Sequence, residues 1–396
     1  MAGQGSDLYA ALGVDSGKDS VRATFSGAID NDFPGAWVNI VRCPWHSGEV
    51  FTQHMDGDGS KGLQRLLMYA LTEDIGVIDG MVDDAVSMNT GDIAAAGFID
   101  LQMWTDVLNI NGLNIPYKSQ VLERIKQRFC QLRDLYQRHG FQVFFLGGET
   151  ADLPHQVQTQ AFDVAVHARA YERDIITGNV RPGDYIWGFR SDGQAQWESR
   201  INSGIMSNGL TLARTSLMHA EYTSQFPELL VPGSYYTGRY RIGDTPDELG
   251  GMTVGEALTS STRQWAILIR LLIEKLTTAG MLFHLHGISM NTGGGATKVG
   301  HLGIGGIVYH KIMPPPSPIF QLIQSESGQP WEHMFRSFNC GIGLDVVGDP
   351  AIAPILERVQ AETGVIMANL GRCMANERDA MRNEVKLMTD YGFFEY

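Results

Sequence analysis

The segment Asp56-Gly57-Asp58-Gly59-Ser60-Lys61-Gly62 places acidic residues, glycines and a lysine next to one another. Its glycines let backbone N–H groups approach a ligand closely, and successive N–H groups can form an anion-binding concavity. The Lys61 ammonium supplies positive charge, and the Asp56 carboxylate can hold a magnesium ion that bridges phosphate oxygens. The pattern therefore favours a polyphosphate cradle, and the competing interpretation is an ordinary Asp-Gly turn.

Composition places this segment in an acidic, globular chain. The chain has 396 residues, of which 43% are hydrophobic, and a formal net charge of -14. This length favours two domains, each with enough apolar residues for a packed core. Nucleic acid is not expected as a partner, because binding a phosphate backbone needs clustered Lys and Arg and no basic run is present.

Cysteine usage and the apolar stretches indicate the compartment. The four cysteines are far apart and form no CxxC pair, which predicts free thiols in a reducing cytoplasm. The first seven residues lack the regions of a signal peptide, and charged residues interrupt the apolar stretch from Trp265 to Leu276. We therefore predict a cytoplasmic protein that neither crosses nor enters a membrane.

Hydrophobic periodicity outlines the elements that carry the motifs. Strands are predicted at 37–41, 141–146, 162–168 and 185–189, and helices at 74–96, 119–139 and 262–276. The turn residues Arg181-Pro182-Gly183-Asp184 indicate a domain boundary near residue 182, so the predicted domains are 1–182 and 183–396.

Three further motifs are rich in glycine and small polar residues. Gly147-Gly148-Glu149-Thr150-Ala151-Asp152-Leu153-Pro154 follows a predicted strand, and is either a site for a metal, amine or phosphate or a tight turn. Thr292-Gly293-Gly294-Gly295 can form an anion nest. Ser207-Asn208-Gly209 indicates a helix N-terminus, which either binds an anion or is an N-cap without a ligand.

In this order, these motifs resemble the aminoimidazole ribonucleotide synthetase family, also called phosphoribosylformylglycinamidine cyclo-ligase. Gly147 to Pro154 reproduces the family's Gly-Gly-Glu-Thr-Ala-Glu-Met-Pro almost residue by residue. The tract Met334-Phe335-Arg336-Ser337-Phe338-Asn339-Cys340-Gly341-Ile342-Gly343 closely matches the family's Met-Tyr-Arg-Thr-Phe-Asn-Cys-Gly-Val-Gly. The resemblance covers most of the chain, from Tyr9 to Arg372, and leaves the last part unexplained.

The resemblance implies an α/β (α+β) fold in two domains. The first domain would bind ATP and pair with its twin through a β-sheet that closes a shared barrel, so a homodimer is expected. The second domain would cover the active site. The implied reaction is the ATP- and Mg²⁺-dependent closure of formylglycinamidine ribonucleotide to aminoimidazole ribonucleotide in purine biosynthesis.

The family's site residues transfer to matching positions of this chain. The resemblance implies that Lys61 and Glu149 take part in catalysis, and that Asp56, Asp84 and Asp92 hold magnesium. Substrate contacts are implied for Ser207, Asn208 and Gly209. Nucleotide contacts are implied for Asp56, Gly57, Gly59, Ser60, Lys61, Gly147, Gly148, Thr150, Gly293, Gly294 and Gly295.

Several positions depart from the family pattern. Asp58 stands where an apolar residue is usual, Gly91 replaces an asparagine before Asp92, and Met290 replaces a histidine two residues before Thr292. Proton transfer by that histidine therefore cannot be carried over. The departures leave two alternatives open: another ATP-dependent enzyme of the superfamily with a different acceptor, or a catalytically silent dimer that binds nucleotide and regulates a partner.

Two residues have more than one interpretation from sequence. Arg263 could brace a domain interface or bind phosphate. Cys340 beside a glycine bend could suggest a nucleophile, but no His or Asp arrangement supports this role, which favours a buried thiol.

Overall fold

A computed structural model describes residues 7–14, 24–25, 27–115, 117–230 and 232–396. The first seven residues were expected not to form a signal peptide, and residues 1–6 of this segment lie outside the described ranges. Among the described residues, no helix is long and apolar enough to cross a membrane. The α-helices are α1 (Leu8–Ala11), α2 (Lys61–Thr72), α3 (Asp79–Ala95), α4 (Lys118–Arg138), α5 (Leu210–Leu217), α6 (Tyr222–Gln225), α7 (Val254–Thr259), α8 (Trp265–Thr278), α9 (Pro318–Ser327), α10 (Trp331–Ser337) and α11 (Ala353–Thr363).

The strands form two large sheets and one small ribbon. They are β1 (Val41–Arg42), β2 (Glu49–Gly57), β3 (Leu101–Ile110), β4 (Gln142–Asp152), β5 (Gln160–Tyr171), β6 (Tyr185–Arg190), β7 (Asp192–Gly193), β8 (Asn202–Ser203), β9 (Leu285–Met290), β10 (Ile307–Ile312), β11 (Ile342–Gly348), β12 (Met367–Ala375), β13 (Glu384–Thr389) and β14 (Gly392–Glu395). The first sheet has the order β1-β2-β5-β3-β4, the second β14-β13-β10-β12-β6-β11-β9. The first uses strands before residue 172 and the second strands after 184, so we propose a domain boundary between them, near residue 182.

Helix α3 lies between the two halves and is buried on every side. It packs against β2, β5 and α4 from the first half and against α8 and β9 from the second. Sixteen of its residues, from Gly80 to Ala95, are buried, including the polar ones. A helix buried all round needs small residues where neighbours approach and partners for every polar side chain. Asp84 and Asp92 are therefore buried carboxylates and do not face solvent.

Most element predictions are confirmed, with shifts that have tertiary causes. Helix α4 matches its prediction within one residue at each end. The strand predicted at 37–41 begins only at Val41. The helix predicted at 262–276 begins at Trp265, and the backbone N–H of Thr262, which precedes it, donates to Asp84.

The Gly147-Gly148-Glu149 motif lies inside a strand and not after its end. Strand β4 continues to Asp152 because it pairs with β3 along its whole length, across a bulge between Trp104 and Asp106. A Cβ atom on Gly148 would lie 1.8 Å from the carbonyl oxygen of Asp106. Glycine is therefore required at position 148 by the close approach of the neighbouring strand.

Candidate functional site

Helix α3 carries a carboxylate that is completely buried. Lys61 Nζ lies 3.0 Å from Asp84 Oδ1, and Arg65 Nη2 lies 2.6 Å from Asp84 Oδ2. The backbone N–H of Thr262 donates to Asp84 Oδ1 at 2.6 Å. Buried charges are tolerated when they are paired and hydrogen-bonded in this way. One carboxylate thus joins α2, α3 and the segment that precedes α8.

The two partners of this pair have unequal surroundings. Burial raises the pKa of Asp84, but Lys61, Arg65 and the Thr262 N–H outweigh it and hold that pKa below its ordinary value. Burial also lowers the pKa of Lys61 to about 8, because only the Asp84 carboxylate opposes it strongly and Arg65 adds a repulsive charge. The side chain of Lys61 is 0% exposed. The Lys61 ammonium, which was predicted to contact phosphate, is therefore bonded to Asp84 in this structure.

Asp58 lies beside this cluster and does not face water. Its Oδ2 has no hydrogen-bond partner among the described residues, and a Cβ atom on Gly62 would lie 2.3 Å from it. Burial, followed by the charge of Asp84, raises the pKa of Asp58 well above its ordinary value. The extra carboxylate is thus packed against the first turn of α2, where glycine leaves room for it.

Asp92 is the centre of a second polar cluster, about two helical turns along α3 from Asp84. Trp37 Nε1 donates to Asp92 Oδ1 at 2.7 Å, and His54 Nε2 lies 3.3 Å from Asp92 Oδ2. Lys298 Nζ lies 3.7 Å from the same oxygen and donates to the Thr292 hydroxyl. Lys298 also sits over the Trp37 ring, 4.9 Å from its centroid. The Thr292–Gly295 loop of the second half is thereby tied to α3.

The two departures at positions 91 and 290 are in direct contact. A Cβ atom on Gly91 would lie 2.0 Å from the sulfur of Met290. Met290 ends β9 and is fully buried, as is the helix segment it touches. Glycine at position 91 thus provides the space that the methionine side chain fills, and the contact between them is apolar.

The Ser207-Asn208-Gly209 motif contacts the glycine-rich segment that begins α2. Thr211 Oγ1 donates to Ser60 Oγ at 3.1 Å, and a Cβ atom on Gly59 would lie 3.5 Å from the carbonyl oxygen of Ser207. The prediction of a helix N-terminus is confirmed, since α5 begins at Leu210 with Gly209 as its N-cap. Two predicted motifs that are far apart in sequence are therefore adjacent in space.

The Ser337–Gly343 tract is a third motif that contacts these segments. The Asn208 amide donates to the carbonyl oxygen of Ser337, and the Ala296 N–H donates to that of Phe338 at 3.1 Å. The segments around Ser60, Asn208, Gly295 and Ser337 thus form one continuous set of contacts.

Several motif residues keep buried polar atoms without a partner among the described residues. These atoms are Ser207 Oγ, Asn208 Oδ1 and Ser337 Oγ, and Thr262 Oγ1 in the segment before α8 is unpaired as well. Buried polar atoms in native proteins are nearly always hydrogen-bonded, so a concentration of unpaired ones calls for an explanation. A bound polar ligand would supply the missing partners.

The Gly147–Pro154 motif does not join these contacts within one chain. Glu149 pairs with Val107, which pairs with Asp163, which in turn pairs with Gly57. Three strand spacings separate Glu149 from Gly57, about 14 Å. Glu149 and Thr150 are exposed on β4, an edge strand of the first sheet.

The three acidic residues predicted to hold magnesium are separated in this structure. Asp84 and Asp92 have the different partners given above, and Asp56 Oδ1 accepts from the Gly57 N–H at 2.8 Å. The described residues contain no group of three or more His, Cys, Asp or Glu side chains placed to hold a metal ion. Asp56, Asp84 and Asp92 therefore stay predicted magnesium ligands, and we derive no catalytic step from them.

Two open interpretations can be compared with the structure. Arg263 is buried, pairs with Glu198 at 2.9 Å and donates to the carbonyl oxygen of Arg190, so its guanidinium joins segments within the second half. Cys340 is a buried thiol as expected, and burial raises its pKa well above the ordinary value.

Sequence reasoning missed Trp37, His54, Asn89 and Lys298. Asn89 Nδ2 donates to the carbonyl oxygen of Asp56, and Asn89 Oδ1 lies 2.9 Å from His54 Nδ1. The one available signal was Lys298, a cation three residues after the Thr-Gly-Gly-Gly run.

The fold class is the two-domain α/β fold that was predicted, and it has counterparts among solved structures. The crystal structure of tt0281 from Thermus thermophilus aligns with a TM-score of 0.52 and 15% identity, covering 96% of this chain and 98% of that one. T. maritima PurL complexed with FGAR aligns with a TM-score of 0.52 and 13% identity, covering 94% of this chain and 48% of that one. These similarities establish the fold.

Sequence comparison identifies the family. The phosphoribosylformylglycinamidine cyclo-ligase of Thermococcus kodakarensis is 31% identical over 295 residues, which cover 74% of this chain and 70% of the relative. The protein of the same name from Pyrococcus furiosus is 31% identical over 296 residues, with the same coverage. No family model matches the chain. The chain belongs to the phosphoribosylformylglycinamidine cyclo-ligase family.

Proposed function

We propose that this protein uses ATP to close formylglycinamidine ribonucleotide to aminoimidazole ribonucleotide, releasing ADP and phosphate. The observation that carries the proposal is the set of unpaired buried polar atoms on Ser207, Asn208 and Ser337, where three family motifs meet. The names of the relatives supply the substrate and the reaction.

The proposed chemistry needs little covalent participation from the protein. ATP phosphorylates the formamide oxygen, the substrate's own nitrogen attacks that carbon, and phosphate leaves with the oxygen. Because both reacting atoms belong to one substrate, the protein contributes positioning and charge neutralisation. The glycine-rich segments at 57–62 and 293–295 would hold phosphates through their N–H groups.

In this proposal, Lys61 and Lys298 have different roles. Lys61 holds Asp84 and so fixes the start of α2, while Lys298 contacts the hydroxyl of Thr292, directly before the second glycine-rich run. Asp56, Lys61 and Glu149 keep the roles that the resemblance gives them as proposals.

A homodimer is part of the proposal. Glu149 is too far from Gly57 to act in the site of its own chain as described, yet it is exposed on the edge strand β4. If the first sheets of two subunits paired, the edge strand would be covered. Glu149 of one subunit would then act in a site that the other subunit completes.

The direct test is ADP release from ATP with and without formylglycinamidine ribonucleotide. Release that requires this substrate is expected. Ser207→Ala should raise KM for the ribonucleotide, whereas Ser325→Ala, which removes an α9 hydroxyl bonded to the Leu322 carbonyl, should leave it unchanged. ADP release that ignores the ribonucleotide would overturn the proposal.

A second candidate is an ATP-dependent enzyme of the same superfamily that uses a different acceptor. The apolar contact between Gly91 and Met290 favours it, because a polar pair is usual at these positions in the family. ATP turnover with another acceptor, together with none on formylglycinamidine ribonucleotide, would select this candidate. Nucleotide binding without turnover on any acceptor would select the silent regulatory dimer.

A further inference from the structure

A surface cavity of about 410 Å³ lies between the segment that connects the two sheets and the start of β9. Its polar lining includes Arg173, Arg181, Asn179 and His286, and its apolar lining includes Phe283. Two arginines and a histidine in one concavity are notable in a chain with a net charge of -14. None of these residues belongs to the motifs of the candidate site.

The histidine in this cavity is buried and held in one orientation. His286 Nδ1 lies 2.8 Å from Asp184 Oδ2, and both side chains are only 6% exposed. The same Asp184 oxygen accepts from the backbone N–H of Arg181 at 2.8 Å. Asp184 therefore acts as an acceptor, so His286 donates from Nδ1 and its Nε2 remains for a ligand.

The arginines are available to a ligand. Arg181 is exposed. Arg173 is 76% exposed, lies 3.8 Å from an oxygen of Asp174, and rests over the Tyr171 ring at 4.6 Å. Guanidinium groups recognise phosphate through paired N–H donors, and an exposed contact such as this one is weak enough to be exchanged.

The apolar side of the cavity offers a surface for a ring. The Phe283 side chain is 70% exposed, and its ring lies 4.0 Å from that of His284. An exposed aromatic ring next to phosphate-binding groups fits a ligand that carries both a phosphate and a planar group.

The cavity is joined to the candidate site through two elements. His286 and Met290 lie at opposite ends of β9, about 13 Å apart at the usual rise per residue. At the cavity, the backbone N–H of Ile176 also donates to the carbonyl oxygen of Ala96, which ends α3. Both elements carry candidate-site residues at their other positions.

We propose that this cavity is a second ligand site, which binds a phosphate-bearing small molecule with a planar group. The phosphate contacts Arg173 and Arg181, a hydroxyl of the phosphate donates to His286 Nε2, and the planar group lies against Phe283. The proposal is independent of the reaction proposed above, since it uses none of the same residues.

The test is a titration of the full-length protein, with isotope-labelled histidine, followed by NMR of the imidazole nitrogens at constant pH. The His286 signals are assigned by their loss in His286→Gln. Inorganic phosphate is expected to shift them saturably, and Arg181→Ala should raise the half-saturating concentration about tenfold. Arg358→Ala removes an exposed arginine from α11 and is the matched control, expected to behave like the unmodified protein.

A second arm tests the planar group with adenosine monophosphate. This probe should saturate the His286 shift at lower concentration than phosphate, and Phe283→Ala should remove that advantage without changing the response to phosphate. His286 signals that do not move, or that move equally in Arg181→Ala, would overturn the site. Equal half-saturating concentrations for the two probes would overturn the planar part of the ligand.

Discussion

At the scale of single residues, Asp84 is the most constrained charge in the candidate site. Replacing it with asparagine leaves Lys61 and Arg65 buried side by side without their anion. We expect Asp84→Asn to lower the free energy of unfolding by about 3 to 5 kcal/mol, the usual cost of breaking a buried ion pair. Lys61→Met should cost less, because Arg65 and the Thr262 N–H still hold the carboxylate. Urea unfolding measures both values, and the opposite order would contradict this account.

Asp58 gives a prediction that depends on pH. Its pKa is raised in the folded protein by burial and then by Asp84, so the folded state holds this proton more tightly than the unfolded chain. The free energy of unfolding therefore falls as pH rises from about 4 through the folded pKa. Asp58→Asn removes this loss, so the variant should be more stable than the unmodified protein at neutral pH. The difference should vanish near pH 3, and a constant difference across a pH series of unfolding curves would refute the assignment.

The contact between Gly91 and Met290 can be tested by a double-mutant cycle. Gly91→Ala places a methyl group against the Met290 sulfur in a buried region, so a loss of about 1 to 3 kcal/mol is expected. Met290→Ala makes room, and the two losses should not add. Gly243→Ala, where nothing lies within 4 Å of the added atom, serves as the control. Additive losses in thermal unfolding would show that the two positions are independent.

At the scale of elements, the last two strands support the helix that leads into the Ser337–Gly343 tract. The Tyr391 ring stacks on Trp331 of α10 at 3.9 Å, and the Tyr396 hydroxyl donates to the carbonyl oxygen of Glu332. The part of the chain that the resemblance left unexplained thus packs on a motif-bearing helix.

Tyr391→Ala should therefore affect both stability and the site. A loss of about 0.5 to 1.5 kcal/mol is expected from the stacked pair beyond burial. If α10 positions Ser337, KM for the ribonucleotide should rise as well. Tyr235→Ala, at an exposed tyrosine outside this contact, is the control. If stability falls and the KM for the ribonucleotide does not change, the packing of β13 and β14 on α10 has only a structural role.

Helices with one apolar stripe could be predicted from sequence, as α4 shows, because their periodicity is local. The path of β4 through Gly147 and Gly148 could not, since it depends on pairing with β3. The same holds for the site. Motif residues identified the segments that meet, but the Lys61–Asp84 pair and the Lys298–Asp92 contact depend on tertiary packing. The partners of Asp84 and Asp92, which lie in two separate polar clusters, could therefore be identified only from the structure.

At the scale of the whole molecule, the outer face of the first sheet carries exposed apolar side chains. Met55 is 58% exposed and Leu146 is 63% exposed in the single chain. Apolar side chains on an open sheet face favour burial against a partner.

We expect the Met55→Lys, Leu146→Lys double variant to weaken a homodimer at least about tenfold, because two charges would enter the interface. Ile304→Lys, at an exposed apolar residue elsewhere, should leave association unchanged. Light scattering across a concentration series measures this. A monomer at every concentration of the unmodified protein would reject the dimer.

The buried Asp84 also has a consequence for how the chain is made. The backbone N–H that completes its contacts belongs to Thr262, 178 residues later. A ribosome adds roughly 5 to 20 residues per second, so this donor emerges roughly 10 to 35 s after the carboxylate. During that interval the nascent first half holds an incompletely satisfied charge at the surface that the second half will cover. The complete set of contacts around Asp84 can therefore form only after the C-terminal half has been synthesised.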